Sequence, residues 1–354
     1  GRVTGKGLAA NIKDEFPPVL VTTVVALLLL ANVLNIAADL AAMGEVAELV
    51  TGINRHLMTS AFVVTSLLLQ VLVAYHRYVS LLRWLTLSLL AYAAVLFTVE
   101  VPWAQVIRQT VWPNRTLDAQ AAATIIAVFG TTISPYLFFW QASEEVEDMR
   151  LTPGAVPLQQ DREAAPAELR RISWDTWSGM LYSNVAAYCI ILAAAVTLHA
   201  GGVTDIGTAA QAASALRPLA GDFAYLLFAA GILGVGLIGV PVLAGSAAYA
   251  LAEAMGWEWG LERKMGEARG FYAVIALSLL AAFAIQFSPI SPMKALFWSA
   301  VINGIVAVPL LVLIILLVSR RSVMGRYKAG RFSAALAWLT VLLMGSASLG
   351  MFLL

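Results

Sequence analysis

The stretch Gly130-Thr-Thr-Ile-Ser-Pro-Tyr-Leu-Phe-Phe-Trp-Gln141 is an apolar span broken in its middle. Upstream, Ala121 to Phe129 is an uninterrupted helix-forming run; downstream, Glu144, Glu145, Glu147 and Asp148 end the apolar stretch abruptly. Pro135 has no backbone N–H, and its ring clashes with the carbonyl four residues back. Carbonyls near Thr131 are therefore expected to be freed at a depth where lipid cannot satisfy them. Non-helical backbone survives there only if it is buried in protein or lines a polar cavity. Many secondary transporters build cation and substrate sites from such discontinuous helices. A simple proline kink, with a serine bonded back to its own helix, fits the same residues.

Working outward, the chain is 60% hydrophobic and only 12% charged, with mean hydropathy +0.83. Soluble domains carry about 25% charged residues, so this is an integral, polytopic membrane protein. A spanning helix needs about 20 mainly apolar residues. That criterion predicts nine spans: 16–50, 57–74, 84–97, 121–142, 176–197, 223–250, 271–287, 292–318 and 334–353. The expected fold class is all-α, and the polar segment from Glu144 to Arg171 reads as a loop.

Charge is distributed unevenly. With the N-terminus on the cytoplasmic side, alternate loops carry 17 of the 22 Lys and Arg residues. The opposite side keeps Arg55, Arg108, Arg115, Arg217 and Lys294. Positive charge marks the cytoplasmic side of short loops. The expectation is a cytoplasmic N-terminus, an outer C-terminus and residence in a bacterial inner (plasma) membrane. Cys189 is the single cysteine and only His56, His76 and His199 accompany it. A disulfide framework and a thiolate or zinc cluster are thereby excluded. Asn114-Arg115-Thr116 matches a glycosylation triplet of a kind that arises by chance. Gly1 opens into a polar, basic segment without an initiator Met, and with an odd span number this suggests a chain truncated at its N-terminus.

Several stretches together resemble one family. Gly1-Arg-Val-Thr-Gly-Lys-Gly-Leu-Ala9 looks like the cytoplasmic link after the second span of the NRAMP (natural resistance-associated macrophage protein) metal transporters. Ala38-Asp-Leu-Ala41 is similar to that family's third-span Asp motif. Gly130-Thr-Thr-Ile-Ser-Pro-Tyr136 occupies the place of its sixth-span motif, Gly-Ala-Thr-x-Met-Pro-His. Asp175-Thr176 opening the next span, and Ala247 to Gly256, also look familiar. The resemblance implies one transporter domain over 1–354 with a LeuT-type inverted-repeat fold. Residues 1–15 would be a cytoplasmic link, 16–120 the remainder of the first repeat, 121–319 the second repeat, and 332–354 an extra span. The family's first broken helix, which supplies an Asp and an Asn to the metal, would be absent.

The candidate residues follow from both arguments. Thr131 matches the position whose backbone carbonyl faces the ion, a role any residue fills. Ser134 stands where the family has Met. A thioether is a soft ligand suited to transition metals, whereas hydroxyl and carbonyl oxygens suit Mg²⁺, Ca²⁺ and Mn²⁺. The expected selectivity moves towards Mn²⁺ or Mg²⁺ and away from Fe²⁺ or Cd²⁺, unless Ser134 only bonds a carbonyl one turn back. Tyr136 replaces the family's His, and Gln141 falls where a second His is often found. Neither side chain relays protons near neutral pH as His does, and 271–287 lacks the Arg that the family's symporters carry. Tyr136 as a packing residue is the blander reading.

Asp39 lies in an apolar helix, Val24 to Leu40, whose other polar residues are Asn32 and Asn35. An intramembrane carboxylate is costly and marks a functional site by default. The resemblance places it on the family's proton pathway, with Ala42 where the family has Glu. Glu45 and Glu48 follow, near enough to the outer surface to be solvated. Asn303 has access to the same pathway or bridges helices, as does Asn184. Gly231-Ile-Leu-Gly-Val-Gly-Leu-Ile-Gly239 lies inside a span and reads as a close-packing stripe, not a phosphate loop.

The function expected is a secondary transporter of divalent metal cations, working by alternating access at a midplane site. The cation is substrate and no cofactor is expected. The partners expected are the lipid bilayer, the cation and, if transport is ion-coupled, a proton, with no nucleic acid. The alternatives are the same fold carrying another small solute or a monovalent cation, and a non-transporting scaffold. No acid–base pair, nucleophile–base pair or metal triad suggests an enzyme.

Overall fold

The protein was analysed as a computed structural model, which describes residues 1–73, 84, 96–97, 101–112, 118–203, 206–288 and 292–353. Among them every regular element is helical. In chain order these are α1 (Leu8–Glu15), α2 (Pro18–Thr51), α3 (Arg55–Leu72) and α4 (Trp103–Val111). Next come α5 (Ala119–Thr132), α6 (Pro135–Leu151) and α7 (Ala165–Ala194), the last continued by a π-helical turn, Ala195–His199. Then follow α8 (Ala209–Met255), α9 (Arg269–Ile285), α10 (Pro292–Ser319) and, after a short turn, α11 (Arg331–Leu353).

The ends are set by local chemistry. Pro18 opens α2 at a position where its missing N–H costs nothing. Gly52, at φ +73°, closes α2 in the left-handed conformation that glycine adopts without strain. The side chains of Asn54, Asp118 and Thr208 accept hydrogen bonds from the first-turn amides of α3, α5 and α8.

Seven helical stretches among the described residues are long and apolar enough to cross a membrane: α2, α3, the α5–α6 pair, α7 with its π-turn, 228–255 of α8, 293–319 of α10, and α11. The span expected over 271–287 is the shorter apolar helix α9. The one expected over 84–97 lies outside the described residues apart from its two ends, as does Asn114-Arg115-Thr116.

α2 runs through the centre, packed against α3, α8, α9 and α10. At 1.5 Å per residue its 34 residues extend about 51 Å, well beyond the roughly 30 Å hydrocarbon layer. The main core joins Ile36, Leu40 and Met43 of α2 to Trp140 and Val146 of α6, Val240 to Ala252 of α8, and Phe271, Ile275 and Leu279 of α9. Lipid is as apolar as these side chains, so close fit rather than water exclusion holds the helices together. The stripe 231–239 serves that fit: a β-carbon on Gly236 would sit 2.3 Å from Met43 Sδ.

Two expectations are corrected. The polar stretch from Glu144 to Arg171 is mostly helix: α6 runs on to Leu151 and α7 begins at Ala165, ten residues before Asp175. Hydropathy detects where lipid contact ends, not where the helix ends. Here the acids stay helical because they have partners: Glu145 pairs with Arg171 at 2.8 Å, and Glu147 is buried and fully engaged. Glu45 is not solvated either. It is 5% exposed, folded back against the start of α8.

Candidate ion site at the broken span

α5 ends at Thr132 and α6 starts at Pro135, so the helix is interrupted at Ile133 (φ −119°, ψ 61°) and Ser134 (φ −77°, ψ 131°). Ile133 N still donates to Phe129 O at 2.7 Å. Pro135 has no hydrogen to offer the carbonyl of Thr131. The Ser134 hydroxyl compensates, donating to Gly130 O at 2.6 Å, with Thr131 O at 3.3 Å. The hydroxyls of Thr131 and Thr132 donate to Val128 O, each at 2.9 Å. The last turn of α5 is therefore a cluster of carbonyls in which Thr131 O has only the long Ser134 contact and Thr132 O accepts no hydrogen bond among the described residues. It forms the negative end of one half-helix beside the positive start of the next.

The serine is thus bonded one turn back, as the blander reading expected. That bond does not remove it as a ligand, because a hydroxyl that donates its one proton still has lone pairs to offer. α5 is held against α10 by backbone contact: a β-carbon on Gly130 would lie 1.9 Å from Ala300 O. The neighbouring Asn303 is 3% exposed, and its Oδ1 is buried without a hydrogen-bond partner.

Asp39 lies across from α8, where a β-carbon on Gly239 would be 3.6 Å from its Oδ2. Among the described residues no protein group donates a hydrogen bond to it, while Tyr136 is close enough to feel its charge. Asn32, Asn35 and Asp39 recur at helical spacing and line one stripe of α2. Asn32 Nδ2 donates to Leu243 O at 2.9 Å, and Asn35 Nδ2 is buried without a partner. The ring of Tyr136 packs against the core while its carbonyl accepts from Ser246 Oγ at 2.8 Å. Gln141 turns elsewhere, donating to Thr176 Oγ1 at 3.0 Å and joining α6 to α7. Asn184 bonds back to Met180 O at 2.8 Å in its own helix.

The structure therefore brings Thr131 and Ser134 together at the break, sets Asn303 beside the α5–α10 crossing, and places Asp39 near Tyr136. It leaves Gln141 at a separate contact. Three acids escaped sequence reasoning. Glu147 accepts from Tyr249 Oη and from the amides of Leu261, at 3.2 Å, and Glu262, at 2.7 Å. Glu253 accepts from Ser143 Oγ at 2.6 Å and from the amides of Ala9 and Ala10 at 3.0 and 3.3 Å. Glu45 is the third. The available signal was their position: each falls within or at the end of an apolar helix.

Among the described residues no group of three or more His, Cys, Asp or Glu side chains is placed to hold a metal ion. What the break offers instead is carbonyl, hydroxyl and amide oxygen. Apolar helices crossing a bilayer, interrupted at a polar midpoint and flanked by an unpaired carboxylate, define a polytopic membrane transporter. Residues 1–354 match the Natural resistance-associated macrophage protein-like (Nramp) family, and the chain belongs to it. Membership makes it a transporter of divalent metal cations in the general sense. No curated protein matches the chain.

Proposed function

We propose that this protein is a secondary transporter that carries Mn²⁺ or Mg²⁺ in preference to softer metals, by alternating access around the α5–α6 break. The observation that carries the reading is the unwound pair Ile133–Ser134 inside an apolar span, which leaves Thr131 O without an amide donor. In this reading Thr131 O and Ser134 Oγ contact the ion, and Asn303 and Tyr136 border its path. Asp39 provides the negative charge that draws a cation, or a coupling proton, to the midplane. Gln141 stands at the cytoplasmic edge of that path. Oxygen donors favour hard cations, and replacement of the family's Met by Ser134 supports that preference. The LeuT-type repeat, with 121–319 as its second half, and the cytoplasmic N-terminus belong to the same proposal.

The test uses the full-length protein in liposomes loaded with fluorescent indicators, following Mn²⁺, Mg²⁺ and Cd²⁺ entry. Entry of Mn²⁺ or Mg²⁺ with little Cd²⁺ is the expected result. Cd²⁺ entry equal to that of Mn²⁺ would overturn the selectivity, and no divalent flux from well-folded protein would overturn the metal reading.

A further inference from the structure

Away from Asp39, on another face of α2, a small polar cavity of about 70 Å³ opens between α2, α3, the end of α9 and the start of α10. Glu45 lies in its wall and is 5% exposed. Its Oε2 accepts from Ala209 N at 3.1 Å and so helps to cap α8. Its Oε1 is buried and accepts no hydrogen bond. The charged group nearest that oxygen is Arg55, whose Nη1 stands at 3.8 Å on a side chain that is half exposed. This is an ion pair without a hydrogen bond, a contact that returns little on a half-exposed side chain. A carboxylate oxygen withdrawn from water and left unbonded costs more than that, so capping alone does not account for the geometry. Capping also needs no charge, since a neutral glutamine offers Ala209 the same acceptor.

The remaining polar groups on the cavity wall present oxygen, apart from the imidazole of His56, which stacks on Phe287 at 5.8 Å. Ser288 Oγ is buried and has no partner. Thr59 Oγ1 gives its proton to Leu40 O at 3.4 Å and keeps its lone pairs. Gln286 uses Nε2 to reach Ala37 O, which leaves Oε1 as its free end. Gln286 also terminates α9, whose C-terminal end carries partial negative charge. A cavity of this size has room for a partly hydrated ion. We propose that this cavity is a second cation site, anchored by Glu45 and Ser288, and that Arg55 is a tethered positive charge which a bound hard cation displaces. It is separate from the α5–α6 break. Only its assignment to the outer side of the membrane rests on the orientation proposed above.

The experiment is Mn²⁺ binding to the full-length protein in detergent, read from the loss of the free-ion EPR signal, so that it does not depend on transport. The parent is expected to hold a Mn²⁺ that Asp39→Asn leaves in place. Glu45→Gln keeps the α8 cap and should weaken that site at least about tenfold. Ser288→Ala removes a hydroxyl that bonds nothing in the protein and should weaken it by about threefold or more, whereas Arg55→Gln should tighten it by a similar factor. Unchanged binding in Ser288→Ala together with unchanged or weaker binding in Arg55→Gln would overturn the proposal, even if Glu45→Gln failed to fold. A protein that transports nothing yet shows this pattern would sink the proposed function and leave the second site standing.

Discussion

Gly130 and Gly304 meet backbone to backbone. A β-carbon on Gly130 would fall 2.5 Å from the amide nitrogen of Gly304, and one on Gly304 would fall 2.6 Å from Ile126 O. Apart from Ile126 Cγ2, the obstructing atoms are main chain, which cannot turn aside as a side chain can. Gly304→Leu is therefore expected to separate α5 from α10 and cost about 3 kcal/mol or more, at or beyond the upper end of ordinary overpacking. Loss of a monodisperse peak on size-exclusion chromatography, or a melting temperature lowered by several degrees, would show it; parental behaviour would refute the close approach.

The Ser134 hydroxyl is the group that satisfies the Gly130 carbonyl beside the break. Ser134→Ala leaves a buried acceptor bare, at a cost of about 1–3 kcal/mol. Ser134→Met supplies a soft sulfur in its place. Its expected signature is Cd²⁺ entry rising at least about tenfold over the parent, since thioethers favour transition metals. Thermal melting reads the Ala variant and the liposome assay the Met variant; a Met variant still indifferent to Cd²⁺ would remove Ser134 from the ion's path.

Asp39 has no protein hydrogen-bond donor among the described residues, so its charge stabilises no contact there. Neutralising it in Asp39→Asn is expected to leave the melting temperature unchanged or raised, because an unpaired carboxylate partly withdrawn from water inside an apolar helix is a cost to the fold. Metal flux, in contrast, should fall at least about tenfold, a change of roughly 1.4 kcal/mol or more in the barrier. A variant that loses stability and flux in parallel would mark Asp39 as structural.

Glu147 and Tyr249 form a hydrogen-bonded pair near the C-terminal end of α6. The carboxylate holds the phenol of α8 and two amides of the following loop, and the ring lies edge-on to Trp140 and Trp259. Glu147→Ala should cost about 3 kcal/mol, as expected when several buried donors lose one charged acceptor. Tyr249→Phe should cost about 1 kcal/mol. In a double-mutant cycle of thermal melts the two should couple by at least about 0.5 kcal/mol; simple additivity would deny the contact.

The apolar runs made the helices legible, because a bilayer demands long uninterrupted stretches and Pro135 marks the interruption within the chain's own text. Ser134's back-bond was legible too, as one of two readings of the same residues. What the sequence did not disclose was which acids are buried. Glu45, Glu147 and Glu253 look like the solvated ends of spans when hydropathy is read one helix at a time. Their partners lie on other helices or on distant links: Ala209 for Glu45, Leu261 and Glu262 for Glu147, and Ala9 for Glu253. Gln141 failed to join the central group for the same reason, since its direction is decided by Thr176 on α7.

Glu253 bonds α8 to the first turn of α1 and, through Ser143, to α6. α5, on the other side of the break, packs chiefly against α10 and α11, and α6 touches α10 only lightly. The two halves of one span thus have different principal neighbours, α8 and α1 for α6, α10 and α11 for α5, joined through a pin two residues long. Any movement of one half relative to the other would be felt as torsion at Ile133 and Ser134, and the carbonyls grouped there would be among the first atoms to register it.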